Sequence, residues 1–436
     1  MADRKAGTDL RGGDMLEVTI EKGVYRGLGL ARHTGQVVLV PRGFPGDRLR
    51  VEVVSGRRDY LLARIQDLLS AGPGRRVAPC AHAAVCGGCS YQELEYPRQL
   101  LLKRSVVVES LRRAGLECPD EVPIVASPER GWRMRASLHV HRVGEQVRIG
   151  LHQEGSREVV DVEECWQLSP AMNGVLGGLR RSLSGLRPMP GVHGVLLAES
   201  ADGARLVVAL ETAMNPSEPV EVALAEVSPR LTGLGVVAGR GRGSRFVRLA
   251  GEPTVETTVM GFSLRSHVLS FFQANRFLVE ELAREVVASV PAGGKVLDLY
   301  SGVGLFTVPL AAKASLVLSA EISGTAVEDA RRNAAAASIV NLRSFHGDVA
   351  RALRLWPRES AETVVVDPPR TGLDRSVVEA IAVRRPESIT YVSCDPPTLG
   401  RDLRAFALHG YRLAGIRAFD LFPDTFHVET VARLSR

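Results

Sequence analysis

A chain of 436 residues is too long for one hydrophobic core and predicts two or three domains. Its 45% hydrophobic and 24% charged content belong to a globular protein and exclude a disordered or fibrous chain. The polar start leads into no apolar signal region, and no uncharged apolar run approaches the roughly 18 residues of a membrane span, so the expectation is a cytoplasmic protein with no membrane partner.

The net charge of +6 is unevenly spread. Residues 1–150 hold 24 Lys and Arg against 17 Asp and Glu, and the remainder holds 31 against 32. That surplus predicts an anionic partner for the N-terminal part, with nucleic acid the default, although an ordinary solvated face produces a similar excess.

Residues 1–14 lack apolar periodicity and read as a disordered tail. Residues 15–72 alternate short strands with Gly and Pro turns, as in Leu16-Glu17-Val18-Thr19-Ile20 and Gln36-Val37-Val38-Leu39-Val40. This pattern predicts a small β-barrel, and the block resembles a TRAM domain, an OB-like RNA-binding module, which implies that Arg26, Arg32, Arg42 and Arg48 are available for phosphates. Residues 73–265 read as a central α+β domain. It opens on Cys80, Cys86 and Cys89 in a glycine-rich loop, spaced C-x5-C-x2-C. Cys165 is the best candidate for a fourth ligand, and four cysteines suit either zinc or an iron–sulfur cluster. Cys118, before Pro119, has no partner at metal spacing and reads as structural. Residues 96–116 and 172–186 are predicted helices. Trp132-Arg133-Met134-Arg135 combines an aromatic with basic residues and suits stacking and phosphate contact.

From residue 266 to 436, helices alternate with apolar strand-like runs, which predicts a Rossmann-like α/β domain. Lys295-Val296-Leu297-Asp298-Leu299 is a buried strand running into Tyr300-Ser301-Gly302-Val303-Gly304. Glu321 ends the next strand about 20 residues on, where an acid takes ribose hydroxyls. The loop lacks the third glycine of a dinucleotide site, which disfavours NAD. Further on, Ile389-Thr390-Tyr391-Val392-Ser393 ends in Cys394-Asp395-Pro396-Pro397, so Cys394 stands at the carboxyl end of a strand, where open sheets bind ligands. A thiol there is a candidate nucleophile, and a buried structural cysteine is the alternative.

Together with Ser270-Phe271-Phe272-Gln273-Ala274-Asn275 and Val366-Asp367-Pro368-Pro369-Arg370, these stretches resemble the RNA uracil-C5-methyltransferases. They are most similar to the 23S ribosomal RNA branch that carries an N-terminal TRAM domain and an iron–sulfur cluster. The resemblance implies a TRAM barrel, a central domain with a 4Fe-4S loop held by Cys80, Cys86, Cys89 and Cys165, and an S-adenosylmethionine-dependent methyltransferase domain. It makes Cys394 the nucleophile and Glu429 the base, and matches Gln273, Tyr300, Glu321, Asp348 and Asp367 to the S-adenosyl-L-methionine positions. Leu305 departs from relatives that carry a polar residue after the glycine loop.

The implied activity is methylation of C5 of a uridine through a covalent cysteine adduct at C6. The implied enzyme is a monomer acting on 23S rRNA, with tRNA as the alternative substrate. A cytosine-C5 enzyme usually has a second cysteine in the Asp-Pro-Pro region, which Asp367-Pro368-Pro369-Arg370 lacks. An amino-directed enzyme would want an aromatic where Arg370 stands. A catalytically dead RNA-binding or redox-sensing module would not need Cys394 and Glu429.

Overall fold

In the computed structural model, which describes residues 10–185, 191–213, 227, 230–239, 244–357 and 362–436, the strands form sheets of six, six, two and eight. The first comprises β1 (Met15–Thr19), β2 (Lys22–Val24), β3 (Leu28–His33), β4 (Gln36–Pro41), β5 (Arg48–Gly56) and β6 (Tyr60–Ser70), in the order β1-β5-β6-β4-β3-β2. Strict alternation drives Leu16, Val18, Leu49, Val51 and Val53 to one side, where they meet Val38 and Val40. The curled sheet fits the expected barrel. Of the expected tail, residues 1–9 lie outside the described residues. Leu10, by contrast, packs against the barrel core, and Gly13 N–H bonds Val53 O at 2.9 Å, so that end of the tail is docked.

Helix α1 (Tyr96–Arg113) and the short strand β7 (Ile124–Val125) follow. The sequence places both in the central region, yet they pack with the C-terminal sheet. Val107, Val108, Leu111 and Val122 join its core, and β7 pairs with its edge. The reason is that α1 is apolar on the face that meets the last helix, and buried Lys103 finds its counter-charge, Asp420, at 2.5 Å in the C-terminal chain.

The second sheet contains β8 (Arg135–Val143), β9 (Gln146–Gly150), β10 (Val192–Glu199), β11 (Leu206–Thr212), β12 (Gly233–Ala238) and β13 (Arg245–Gly251). Helix α2 (Pro170–Gly185) covers it, with Met172, Val175, Leu176 and Leu179 buried against Val195, Leu197 and Val208. A hairpin of β14 (Thr254–Val259) and β15 (Phe262–His267) leads out.

The last sheet runs β18-β17-β16-β19-β20-β22-β21-β7. Its strands are β16 (Lys295–Leu299), β17 (Leu316–Glu321), β18 (Leu342–His346), β19 (Glu362–Val366), β20 (Ser388–Ser393), β21 (Arg412–Phe419) and β22 (Glu429–Ser435). The helices are α3 (Val279–Ala288), α4 (Thr307–Ala311), α5 (Gly324–Ala336), α6 (Val349–Leu355), α7 (Arg375–Arg384) and α8 (Pro396–Leu408). Strands β16, β19 and β20 are buried along nearly their whole length because helices cover both faces. Strand order reverses between β16 and β19, and the crevice at such a switch point is where α/β sheets bind ligands.

Candidate active site

Strand β20 ends at Ser393, and Cys394 occupies the turn before α8. Asp395 is the N-cap of α8, accepting the Thr398 N–H at 3.0 Å, and Pro396 and Pro397 open the helix without needing their missing N–H groups. Cys394 is thus held between a strand end and a helix cap. Strand β22 runs antiparallel beside β20 with Ser393 opposite Thr430, and the Thr430 hydroxyl bonds Ser393 O at 3.0 Å. The pairing ends there; Glu429, the first residue of β22, and Cys394, the first residue after β20, each adjoin that last pair, and the Glu429 charge acts on the thiol. The Glu429 side chain is buried, at 2% exposure.

Asp367 and Arg370 come from the loop after β19, next to β20 in the sheet. Burial, then Glu429 and Asp367, push the Cys394 thiol up to about 12, while Arg370 opposes. Burial and then Asp367 raise the Glu429 carboxyl well above the usual range, and Arg370 opposes again. Asp367 rises to about 7 through burial and then Asp298, against a hydrogen bond from Gln273. Burial thus disfavours the charged form of all three groups, and Arg370 favours it at Cys394 and Glu429.

Gln273 is held from both sides by its own motif. Ser270 Oγ donates to Asp329 at 2.7 Å, and Asn275 bonds Ser127 Oγ at 2.8 Å and Leu421 O at 3.0 Å. The glycine loop turns sharply, with positive φ at Tyr300 (+63°), Gly302 (+55°) and Gly304 (+91°). Glu321 accepts the N–H of Gly302 at 3.0 Å and of Ser323 at 2.7 Å. Asp348 caps α6, accepting Arg351 N–H at 3.0 Å. Burial and then the charges of Asp374, Asp348 and Asp402 push the Tyr300 phenol up to about 12. The structure therefore gathers Gln273, Asp367, Cys394 and Glu429, adds Glu321 through Asp298, and links Tyr300 with Asp348.

Two residues of this site were not singled out from the sequence. Arg370 entered only as a reason to exclude another chemistry. Asp298 was read as part of a buried strand, although a lone acid inside an apolar run is itself a signal. It is fully buried, takes the Thr307 hydroxyl on one oxygen and has no partner on the other. Asp298, Glu321 and Asp367 end three neighbouring strands, an arrangement suited to a cationic, hydroxyl-bearing ligand.

Cys80, Cys86, Cys89 and Cys165 line one cavity, with Gln92, Trp166, Gln167 and apolar Leu138, Leu151 and Val162. Gln167 donates to Cys89 Sγ at 2.9 Å, Gln92 to the same sulfur at 3.7 Å, and Gly88 N–H to Cys86 Sγ at 3.5 Å. Among the described residues, no three His, Cys, Asp or Glu side chains converge closely enough to hold a metal ion. Arg42, expected to meet phosphates, instead fastens this loop to the barrel through the carbonyls of Ala83, Cys86 and Cys89 and through Glu154. Arg32 and Arg48 pair with Glu21 and Glu17. Trp132 is fully buried edge-on to Phe422, and Arg135 binds the carbonyls of His267 and Ser270, both at 3.0 Å. Of that basic stretch, Arg133 faces both Arg370 and the thiols Cys89 and Cys165. Cys118 packs partly buried against the C-terminal core. No helix among the described residues is long and apolar enough to cross a membrane.

Residues 10–65 match the TRAM domain, and residues 243–348 and 353–436 match the family described as tRNA (Uracil-5-)-methyltransferase. An uncharacterized RNA methyltransferase of Aquifex aeolicus is 32% identical over 422 residues, covering 96% of this chain and 98% of the relative. One from Gloeobacter violaceus is 34% identical over 448 residues, covering 97% of each. The Pyrococcus abyssi tRNA (uracil-54, C5)-methyltransferase, solved with S-adenosyl-L-homocysteine, superposes with a TM-score of 0.77 at 27% identity, over 96% of this chain and 100% of that one. With these matches running from the barrel to the last strand, the chain belongs to the RNA (uracil-5-)-methyltransferase family.

Proposed function

We propose that this enzyme transfers a methyl group from S-adenosylmethionine to C5 of a uridine in RNA through a covalent Cys394 adduct. The observation that carries the reading is the pairing of Ser393 with Thr430 between β20 and β22, which brings the adjoining Cys394 and Glu429 near each other, with Asp367 and Arg370 also acting on the thiol. S-adenosylmethionine, when bound, supplies an electrophilic methyl on a sulfonium. Gln273, Tyr300, Glu321, Asp348 and Asp367 are the residues we assign to hold it. The unpartnered buried oxygen of Asp298 and the turned glycine loop fit such a ligand.

Uracil C5 is a poor nucleophile. Cys394 adds as its thiolate to C6, which drives the C5–C6 electron pair toward O4 and makes C5 able to take the methyl. Glu429 then accepts the C5 proton, the C5–C6 double bond re-forms, and the C6–S bond breaks to return the thiolate. Burial makes the Glu429 carboxylate a stronger base than a solvated one. The target base must leave its stack to reach the turn, and Arg370 is the cation that acts on the thiol there.

The test separates the two roles. Cys394→Ala abolishes 5-methyluridine formation on RNA from a strain lacking the enzyme. Glu429→Gln accumulates a denaturation-resistant protein–RNA adduct that carries the methyl group. Full turnover by Glu429→Gln removes it as the base, and the absence of any adduct rejects thiol addition.

For the substrate we keep 23S rRNA, in the cytoplasm and with the enzyme a monomer. The likeness to a tRNA enzyme supports tRNA as the second reading. Mapping 5-methyluridine in both RNAs from a deletion strain decides between them.

We also propose that Cys80, Cys86, Cys89 and Cys165 hold a 4Fe-4S cluster with a structural role. Four thiols on one cavity, with N–H donors to the sulfurs of Cys86 and Cys89, support it. Anaerobic iron and sulfide analysis tests this. Stoichiometric zinc without visible absorption overturns it.

A further inference from the structure

We propose that Tyr25, in the N-terminal barrel, is a positioning residue of the catalytic centre, holding the Asp395 carboxylate and through it the turn that carries Cys394. The inference rests on the reading of Cys394 as the nucleophile. It makes the barrel part of the catalytic scaffold as well as an RNA-docking unit.

The contact arises from a kink between β2 and β3, a single 3-10 turn over Tyr25–Gly27. Arg26 has φ +70° and Gly27 φ +71°, and this left-handed pair turns the chain so that Tyr25 leaves the barrel. The position of Gly27 admits no side chain. A Cβ there would lie 2.8 Å from Ser90 Cβ, in the cysteine loop, and 3.5 Å from Phe426 Cβ, three residues before Glu429. The barrel thus touches the approach to the base directly. Tyr25 sets its ring edge-on against Phe426, with centroids 5.7 Å apart, and its phenol O–H donates to Asp395 Oδ2 across 370 positions of sequence.

Asp395 uses its two oxygens differently. Oδ1 caps α8 through Thr398 N–H at 3.0 Å, and Oδ2 belongs to Tyr25. Its own N–H bonds Ser393 Oγ at 3.2 Å, so both neighbours of Cys394 are tied into this network. Five groups face the thiol. Glu429 comes from β22, Asp367 and Arg370 from the loop after β19, Asp395 from its own turn and Tyr25 from the barrel. A phenol donating to Asp395 draws negative charge away from the thiol and fixes the plane of the carboxylate. Without it, the full carboxylate charge faces the sulfur and disfavours the thiolate.

The experiment uses the full-length enzyme and measures iodoacetamide alkylation of Cys394 from pH 7 to 10, resolved by peptide mass spectrometry with Cys118 as internal reference. Tyr25→Phe should keep the melting temperature within a few degrees, slow Cys394 alkylation roughly three- to tenfold near pH 8 and shift its profile to higher pH, since one pH unit is tenfold in thiolate. In an Asp395→Asn background, which retains a good N-cap, Tyr25→Phe should change nothing further. An unshifted profile in Tyr25→Phe, or an equal shift with Asp395→Asn already present, overturns the proposal. Methylation by Cys394→Ala reports separately on the nucleophile. Activity retained there rejects the mechanism, whereas the alkylation profile judges the Tyr25 link to the thiol.

Discussion

Asp298 offers the sharpest test of how the donor side of the site is built. Burial lifts its carboxyl from 3.8 to about 7, the Thr307 hydrogen bond opposes and Glu321 adds to the rise. A carboxyl with a higher value folded than unfolded binds more protons in the native state. Its contribution to stability is therefore full below about pH 4 and is lost as pH rises toward 7. At ~1.36 kcal/mol per unit, the loss between pH 5 and pH 8 is about 3 kcal/mol. Asp298→Asn cannot ionise and keeps an oxygen for the Thr307 hydroxyl. The variant should gain on wild type by that amount across the interval. Because several domains need not unfold together, amide hydrogen exchange in β16 and β19 is the suitable assay, with both proteins compared at each pH. The expected growth in relative protection is roughly 100-fold. A gap that stays the same at pH 5 and pH 8 would refute the reasoning, because it would mean that Asp298 does not titrate in this window.

Arg370→Gln removes the cation that opposes the rise of both Cys394 and Glu429. The acid limb of its pH–rate profile for 5-methyluridine formation should move to higher pH, with roughly tenfold lower activity at pH 7 for each unit moved. Lys103→Met leaves Asp420 buried and unpaired, at a cost of about 3–5 kcal/mol. Adding Asp420→Leu should recover much of the lost melting temperature. RNA binding by the intact enzyme should weaken steeply between 50 and 200 mM salt if basic residues meet phosphates, as gel-shift titrations would read. Binding that ignores salt would count against a phosphate-reading surface.

How much of this molecule was legible in its sequence depends on whether a feature reports on its own element or on a partner. Alternation in β1 and β5 reports which side of a strand is buried, and it indicated the barrel without further information. The Val- and Leu-rich runs of β16 and β19 and the β-branched run of β20 indicated buried strands. The glycine turn after β16, the acid ending β17 and the Cys-Asp-Pro-Pro turn are local devices, so their chemistry could be read in place. What only the tertiary structure decided is which elements meet. Glu429 looks like any strand acid until the pairing of Thr430 with Ser393 brings it near Cys394. Arg42 and Arg135 look available for phosphate until the carbonyls of the cysteine loop and of residues 267–270 take them. Helix α1 carries an apolar face whose periodicity is silent about its partner, and the counter-charge for Lys103 lies 317 positions away. Tyr25 and Asp395 are further apart still. Side-chain periodicity encodes burial within one element, whereas a hydrogen bond between distant elements depends on how their surfaces pack, and that information is carried by the whole chain.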